Sequence, residues 1–204
     1  MNNPEKGIIE FDFRFLGHSG NEVPETEKKS IVDLARESVK KIFFHSKWID
    51  LEQLCLIQKK YVHKIVVEVL IFTFDGAIVE TSLLSIILAL SRFELPKYEI
   101  DDELGIITKI DNETIPLTVS DNIPTCSTFT LVLNQILVDP NWYEELACDS
   151  ILRISLDPDS NVSDCIFLLE MVGKDAFNQE QIRACFEQAK IRGKYFKKLL
   201  NECE

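Results

Sequence analysis

Acidic side chains are concentrated in residues 138–149, and these are the residues of the sequence best suited to chemistry. Asp139 follows a predicted strand and Asp149 precedes the next one, so both would flank one loop that also carries Glu144 and Glu145. Clustered carboxylates can hold Mg²⁺ or act as a general acid and a general base. The alternative interpretation is a solvated acidic loop that ends the two strands, and the residues alone leave both interpretations open.

Other familiar catalytic and metal-binding patterns are absent from the sequence. The three histidines, at positions 18, 45 and 63, share no local motif with an acid or a nucleophile. The six cysteines form no C-x-x-C pair, and their apolar neighbours predict buried free thiols in a reducing compartment. With only seven glycines, a glycine-rich phosphate cradle is hard to build. We therefore expect neither a metal site nor a cofactor.

The net charge of −12 is distributed unevenly. Residues 97–175 contain 16 acidic and 4 basic side chains, which account for the whole net charge, and the remainder is neutral. Proteins that bind nucleic acid on their own are usually basic, because much of the affinity comes from neutralising phosphates. This chain should therefore bind RNA or DNA poorly unless partners supply positive surface. No apolar run is long enough to predict a membrane span, so we expect no membrane association.

The periodicity of apolar residues predicts the elements that would position the acidic cluster. Residues 8–15 alternate as a half-buried strand, and apolar residues at helical spacing over 31–43 predict an amphipathic helix. A long central strand over 61–74 and a buried helix over 83–93 follow. Asn178, with Gln181 three residues later, predicts the start of a long final helix. Between these helices lie short predicted strands, at about 105–110, 114–119, 124–133, 136–139, 150–156 and 164–172. We expect an α+β fold in a single domain, residues 1–204.

Several segments, in this order, resemble the ribonuclease PH family. The resemblance is carried by Phe74-Asp75-Gly76-Ala77 before an apolar helix that ends near Leu95-Pro96, by Ile123-Pro124-Thr125-Cys126, and by Leu137-Val138-Asp139-Pro140. Residues 48–56 resemble one branch in particular, the non-catalytic ribonuclease PH-like subunits of the eukaryotic RNA exosome ring. The resemblance implies a β-α-β-α unit, an antiparallel β-meander and a C-terminal helix.

The resemblance also implies a lost active site. Active members carry a Gly-Gly-Thr-Arg type loop whose amides and arginine bind the attacking phosphate, whereas this chain reads Gly76-Ala77-Ile78-Val79. Glu80 follows this loop and would repel phosphate. Asp139 and Asp149 are then degenerate equivalents of the catalytic acids, because active members continue with a second aspartate where this chain has Pro140. The resemblance therefore predicts no enzymatic activity.

The implied role is that of a structural subunit in 3′-to-5′ RNA processing and degradation. Partners would be other ribonuclease PH-like subunits and S1/KH-type cap proteins, with RNA bound only through the assembled ring, in the nucleus, nucleolus and cytoplasm. Family members begin with further strands before the equivalent of Ile8. If the working protein lacks those strands, an exposed sheet edge and an apolar patch would need a partner. The alternatives are an active phosphorolytic exoribonuclease or an unrelated α+β ligand-binding domain. Candidate RNA-facing or partner-facing residues are Lys40, Lys41, Lys59, Lys60, Lys194, Lys197 and Lys198.

Overall fold

The first half of the chain folds as a β-α-β-α unit with a small hairpin inserted. The computed structural model describes residues 5–16, 23–101, 106–160 and 165–202. The elements of this half are β1 (Ile8–Phe15), α1 (Glu25–Ser46), β2 (Cys55–Ile57), β3 (Tyr61–Val62), β4 (Lys64–Ile71) and α2 (Ile78–Ser91). Strands β1 and β4 pair in parallel, with α1 in the connection between them.

The predicted alternation of β1 is confirmed. Ile9, Phe11 and Phe13 are buried, while the charged residues between them are exposed. Helix α1 is longer than the apolar repeat predicts, because it begins at Glu25, in a first turn that is acidic and polar. Helix α2 buries one face and exposes Ser85 and Ala89, so the segment predicted as a buried helix is not buried all round.

The strand predicted over 61–74 is shorter and more exposed than expected. Strand β4 ends at Ile71, and its side chains alternate between buried and exposed positions. Among the described residues, β1 is the only strand that pairs with β4, so a central position in a larger sheet is not observed. The run of β-branched residues reflects one buried face rather than two.

Two further strands form a long hairpin that the sequence analysis divides incorrectly. Strand β5 spans Glu94–Asp101 and pairs antiparallel with β6, Ile106–Pro116. Asp111-Asn112 does not end a strand: the register shifts there, and Asn112 adopts a left-handed backbone with φ of 61°. The polar pair therefore forms an irregularity within one strand instead of a turn between two.

The second half of the chain contains a four-stranded antiparallel sheet and helix α4 (Gln179–Glu202). The spatial order of the strands is β10-β9-β7-β8, with the short helix α3 (Trp142–Ala147) connecting β8 to β9. Their bounds are β7 (Thr125–Val132), β8 (Gln135–Val138), β9 (Ser150–Leu156) and β10 (Ile166–Gly173). Together with the first half, these elements confirm the predicted α+β class.

One predicted local signal in this half, the helix cap at Asn178, is confirmed in detail. The Asn178 side chain accepts a hydrogen bond from the Gln181 amide, and the Gln181 side chain accepts one from the Asn178 amide, which is a capping box. Leu133 and Asn134, with φ of 48° and 64°, form the two-residue turn between β7 and β8.

The sheet separates two hydrophobic cores. One core joins β1, α1, α2 and β4 and includes Cys126 of β7, whereas the other contains Phe129 and Leu131 of β7 with Cys185 and Ala189 of α4. Strand β7 therefore contributes to both. Within the described residues, the membrane search found no helix that combines the length and the apolar character needed to cross a bilayer.

Candidate functional site

The candidate site lies where α2 begins, beside the segment that joins β8 to α3. Gly76 has φ of 87°, and a Cβ at this position would come within 2.3 Å of the Pro140 carbonyl oxygen. Only glycine tolerates both the left-handed backbone and this close approach. Ala77 is also left-handed, with φ of 44°, and it precedes the first turn of α2. The two segments are therefore held against each other at the backbone.

A carboxylate accepts a hydrogen bond from the amide of Ala77, the cap residue immediately before Ile78, and we call this amide the first amide of α2. Glu145 Oε1 of α3 accepts a hydrogen bond of 2.9 Å from the Ala77 N–H. Burial raises the pKa of Glu145, while the bond from Ala77 and the charge of Arg153 oppose that rise. The start of a helix favours an anion, because its free amides and its dipole both present positive charge. Here that anion is a side chain of the protein itself.

The segment predicted as an acidic loop is mostly the helix α3. Asn141 caps this helix, and Asn141 and Glu144 form a reciprocal capping box with bonds of 2.9 and 2.8 Å. The ring of Trp142, the first residue of α3, packs at 5.1 Å from the ring of Phe74. Glu144 and Glu145 are thus committed to local structure and to the start of α2, respectively.

A second cluster of charges joins three elements. Glu80, buried in the first turn of α2, forms an ion pair with Arg192 of α4 and accepts a hydrogen bond of 3.1 Å from the Thr128 amide. Arg192 also lies 3.5 Å from the Asp139 carboxylate. Burial raises the pKa of Glu80, and Arg192 counteracts that rise. The acid that follows the predicted phosphate loop is therefore neutralised inside the protein.

The structure separates Asp139 from Asp149. The Asp139 amide donates to the Thr128 carbonyl, and the Asp149 amide donates to the Leu131 carbonyl, with β8 and β9 on opposite sides of β7. Two strand spacings, about 9–10 Å, lie between such positions. The Asp149 carboxylate accepts from the Leu133 amide at 3.2 Å and so caps the turn between β7 and β8.

A cleft of about 550 Å³ opens between the last residues of β4, one side of α2 and residues 139–141, and we call it the α2–β4 cleft. Its lining includes backbone of residues 69–77, the α2 residues Thr81 and Ser85, and the acidic residues Asp75 and Asp139. Gly76, Ala77 and Ile78, which the sequence analysis predicts to be a degenerate phosphate loop, also line it, whereas Val79 is fully buried.

The candidate lysines lie on three elements. Lys40 and Lys41 are exposed on α1, and Lys59 and Lys60 are exposed at the turn between β2 and β3. In α4, Lys194 is exposed, Lys197 pairs with Asp159, and Lys198 pairs with Glu202. A role for these residues in binding RNA or a partner stays a prediction.

The remaining candidate groups have structural surroundings. His45 contacts the Phe167 carbonyl at 3.2 Å and the His63 ring lies 5.5 Å from Tyr98, while His18 falls outside the described residues. The five described cysteines are free thiols; Cys126 and Cys185 are buried and the other three are half-buried. Cys203 also falls outside the described residues. Among the residues the structure describes, no group of three or more His, Cys, Asp or Glu is arranged to hold a metal ion.

Comparison with known proteins identifies the family. Residues 122–192 match the model of the 3′ exoribonuclease family, domain 2, the C-terminal ribonuclease PH domain. The matched segment begins just before β7 and ends at Arg192. The whole fold resembles an Archaeoglobus fulgidus exosome chain, solved with RNA bound to the active site, with a TM-score of 0.78, 20% identity, and coverage of 99% of this chain and 73% of that one. The fold is ribonuclease PH-like, and residues 122–192 form a domain of that family. An archaeal exosome core matches with a TM-score of 0.74 and 21% identity, covering 97% of this chain and 70% of that one.

Named relatives within the ribonuclease PH family are exosome components. The exosome complex component Rrp42 of Thermococcus gammatolerans is 28% identical over 98% of this chain and 71% of its own length. Rrp42 of Thermococcus onnurineus is 31% identical over 78% of this chain and 58% of its length, and human RRP45 is 25% identical over 77% and 36%. The chain thus spans 36% to 71% of the length of these relatives. An unrelated α+β ligand-binding domain is not favoured.

The sequence analysis did not predict the two contacts of the site that join distant parts of the chain. Arg192 lies 112 residues from Glu80, and no local pattern marks it as the partner of that acid. The role of Glu145 was equally hidden, because its contact with Ala77 spans 68 residues. The helix α3 could have been predicted, since Asn141 and Glu144 stand at capping-box spacing.

Proposed function

We propose that this chain is a non-catalytic structural subunit of an RNA exosome ring and supports 3′-to-5′ RNA processing and degradation. It assembles with other ribonuclease PH-like subunits and with S1/KH-type cap proteins, and RNA reaches it only through the assembled ring. For a eukaryotic chain, this places the protein in the nucleus, the nucleolus and the cytoplasm. The names of the relatives support the assembly, and the geometry at the start of α2 supports the lack of catalysis.

The observation that carries the proposal is the hydrogen bond between Glu145 and the first amide of α2. A phosphorolytic enzyme needs that end of the helix for its attacking phosphate, because free amides there stabilise an anion. Glu145 already satisfies this amide, and its negative charge repels a second anion. A phosphate would have to displace a half-buried carboxylate before it could bind.

The second carboxylate cluster supports the same conclusion. The Arg192 guanidinium lies 3.5 Å from the Asp139 carboxylate, and it forms an ion pair with buried Glu80. An arginine held in this way does not provide the open fork that recognises phosphate. Asp139 follows β8 and Asp149 precedes β9, and these two strands flank β7 on opposite sides.

Co-purification tests the proposed assembly. The tagged chain is recovered from its native cells, and its partners are quantified by mass spectrometry. We expect several ribonuclease PH-like and S1/KH-type proteins in near-equal amounts. Recovery of the chain alone, or with unrelated proteins, would overturn the proposal.

A phosphorolysis assay tests the proposed absence of catalysis. The purified chain and the recovered complex are each incubated with a labelled RNA oligomer, with and without inorganic phosphate. We expect no phosphate-dependent shortening by the isolated chain. Shortening that disappears on mutation of Asp139 but survives mutation of Glu187, an exposed residue of α4, would assign the active-enzyme alternative.

A further inference from the structure

One edge of strand β4 is open where it lines the α2–β4 cleft. Ile8 donates to the His63 carbonyl and Leu16 donates to the Ile71 carbonyl, so the odd-numbered residues of β4 bond to β1. The backbone groups of Leu70 and Phe72 therefore point to the other edge, and no described strand pairs with it. An unpaired edge beside a cleft is a template for one more extended segment.

The facing wall of the cleft includes two short side chains whose hydroxyl hydrogens already donate to backbone carbonyls of the same helix. The hydroxyl of Thr81 donates to the Ala77 carbonyl at 2.8 Å, and the hydroxyl of Ser85 donates to the Thr81 carbonyl at 2.9 Å. Each hydroxyl oxygen can still accept a hydrogen bond but has no further hydrogen to donate. Short side chains also let another backbone come close to α2.

The charge of the cleft also favours an occupant that donates hydrogen bonds. Its lining includes Asp75 and Asp139 and contains no Lys, Arg or His; Arg192, which lies 3.5 Å from the Asp139 carboxylate, is shared with buried Glu80. The first amide of α2, which could have attracted an anion, is already bonded to Glu145. The side chains that line the cleft thus present acceptors and negative charge, so the complementary occupant is a cation rich in hydrogen-bond donors, and an RNA phosphate would be repelled.

We propose that the α2–β4 cleft binds an extended segment of a partner protein that pairs with the open edge of β4 and places an arginine or lysine between Asp75 and Asp139. The backbone of the segment bonds to Leu70 and Phe72, which gives affinity without regard to sequence. The basic side chain gives selectivity, because the carboxylates and the acceptor hydroxyls on the wall satisfy its donors. This inference goes beyond the ring role and stands on the geometry of the cleft alone.

Peptide pools test the selectivity directly. Four pools of labelled nine-residue peptides carry Arg, Lys, Ala or Glu at the centre, with Ser, Thr, Val and Tyr randomised elsewhere, and binding to the full chain is followed by fluorescence anisotropy. We expect the Arg and Lys pools to bind at least about tenfold more tightly than the other two, and added salt to weaken them. Absence of binding by every pool, or equal binding by the Ala pool, would overturn the proposal.

A matched pair of variants locates the site. Asp75→Asn with Asp139→Asn should abolish the preference for the Arg pool, whereas Glu99→Gln with Asp111→Asn, on the β5–β6 hairpin, removes the same charge elsewhere and should leave it intact. Thermal unfolding of both variants verifies that they fold. If the hairpin variant loses the preference equally, the effect is one of net charge and the cleft is not the site.

Amide exchange measured by NMR tests the strand pairing independently of mutation. Binding of the Arg pool should slow exchange at Leu70 and Phe72 and leave Ile71, which already faces β1, unchanged. Unchanged exchange at Leu70 and Phe72, or displacement of the peptide by a ten-nucleotide RNA, would refute the pairing. Co-purification of the Asp75 and Asp139 variant with ring subunits then separates the two ideas, since the ring proposal can hold while the cleft proposal fails.

Discussion

Replacement of Glu145 by alanine removes the carboxylate that satisfies the first amide of α2. A hydrogen bond to a charged group contributes about 1.5–3 kcal/mol, and a negative charge at a helix start adds about 0.3–1 kcal/mol. Burial of the carboxylate offsets part of this gain, as its raised pKa indicates. We therefore expect Glu145→Ala to lower the free energy of unfolding by about 1–3 kcal/mol, or roughly 2–12 °C in Tm for a chain of this size.

Urea unfolding followed by circular dichroism measures this change, and two variants serve as controls. Glu145→Gln retains an oxygen that can accept the amide of Ala77, so its stability should stay within about 1 kcal/mol of the wild type. Glu187→Ala removes an exposed glutamate of α4 and should change stability by less than about 0.5 kcal/mol. If Glu145→Ala is as stable as Glu187→Ala, the bond to Ala77 contributes nothing. The argument that an internal anion occupies the start of α2 would then be refuted.

Three further predictions concern the same region. Burial raises the pKa of Glu145 in the folded protein above its ordinary value of 4.5. The stability of the wild type relative to Glu145→Gln should therefore rise as pH falls through that raised pKa, and the gain should be lost as pH rises. Urea midpoints measured between pH 4.5 and 7 check the sign. Arg192→Met leaves buried Glu80 without its cation and should cost about 3–5 kcal/mol in urea unfolding, while adding Glu80→Gln should recover at least half of that loss. Val79→Arg with Ala77→Gly should not create phosphorolysis, because Glu145 still lies at the helix start; phosphate-dependent shortening of an RNA oligomer would contradict this.

Elements with a strong local pattern could be predicted from the sequence. The alternation of residues 8–15, the capping pair Asn178 and Gln181, and the strands β7 to β10 all depend on neighbours within a few positions, and the structure has them where the pattern places them. The predictions failed where one sequence pattern is compatible with two local structures. A polar pair such as Asp111-Asn112 suits a turn, but it suits an irregularity inside a strand equally well.

From the sequence, the charged residues of the site could be identified only as a cluster, without the partners that they contact in the fold. Sequence places Glu80 after the predicted degenerate loop, where it would repel phosphate. It places Glu145 in an acidic segment that suits either a solvated loop or a site for Mg²⁺ or acid–base chemistry. The fold instead buries Glu80 against an arginine from the last helix and aims Glu145 at a backbone amide. These contacts join distant parts of the chain, so they depend on tertiary packing that no local spacing encodes.

The position of β7 between the two hydrophobic cores has a consequence for how the protein loses its structure. Cys126 faces one core, while Phe129 and Leu131 face the other, so neither core is complete without this strand. Fraying of either helical layer exposes one side of β7 and weakens the support of the opposite layer. We therefore expect the two cores to be linked thermodynamically and to melt in a single cooperative event rather than in two successive ones.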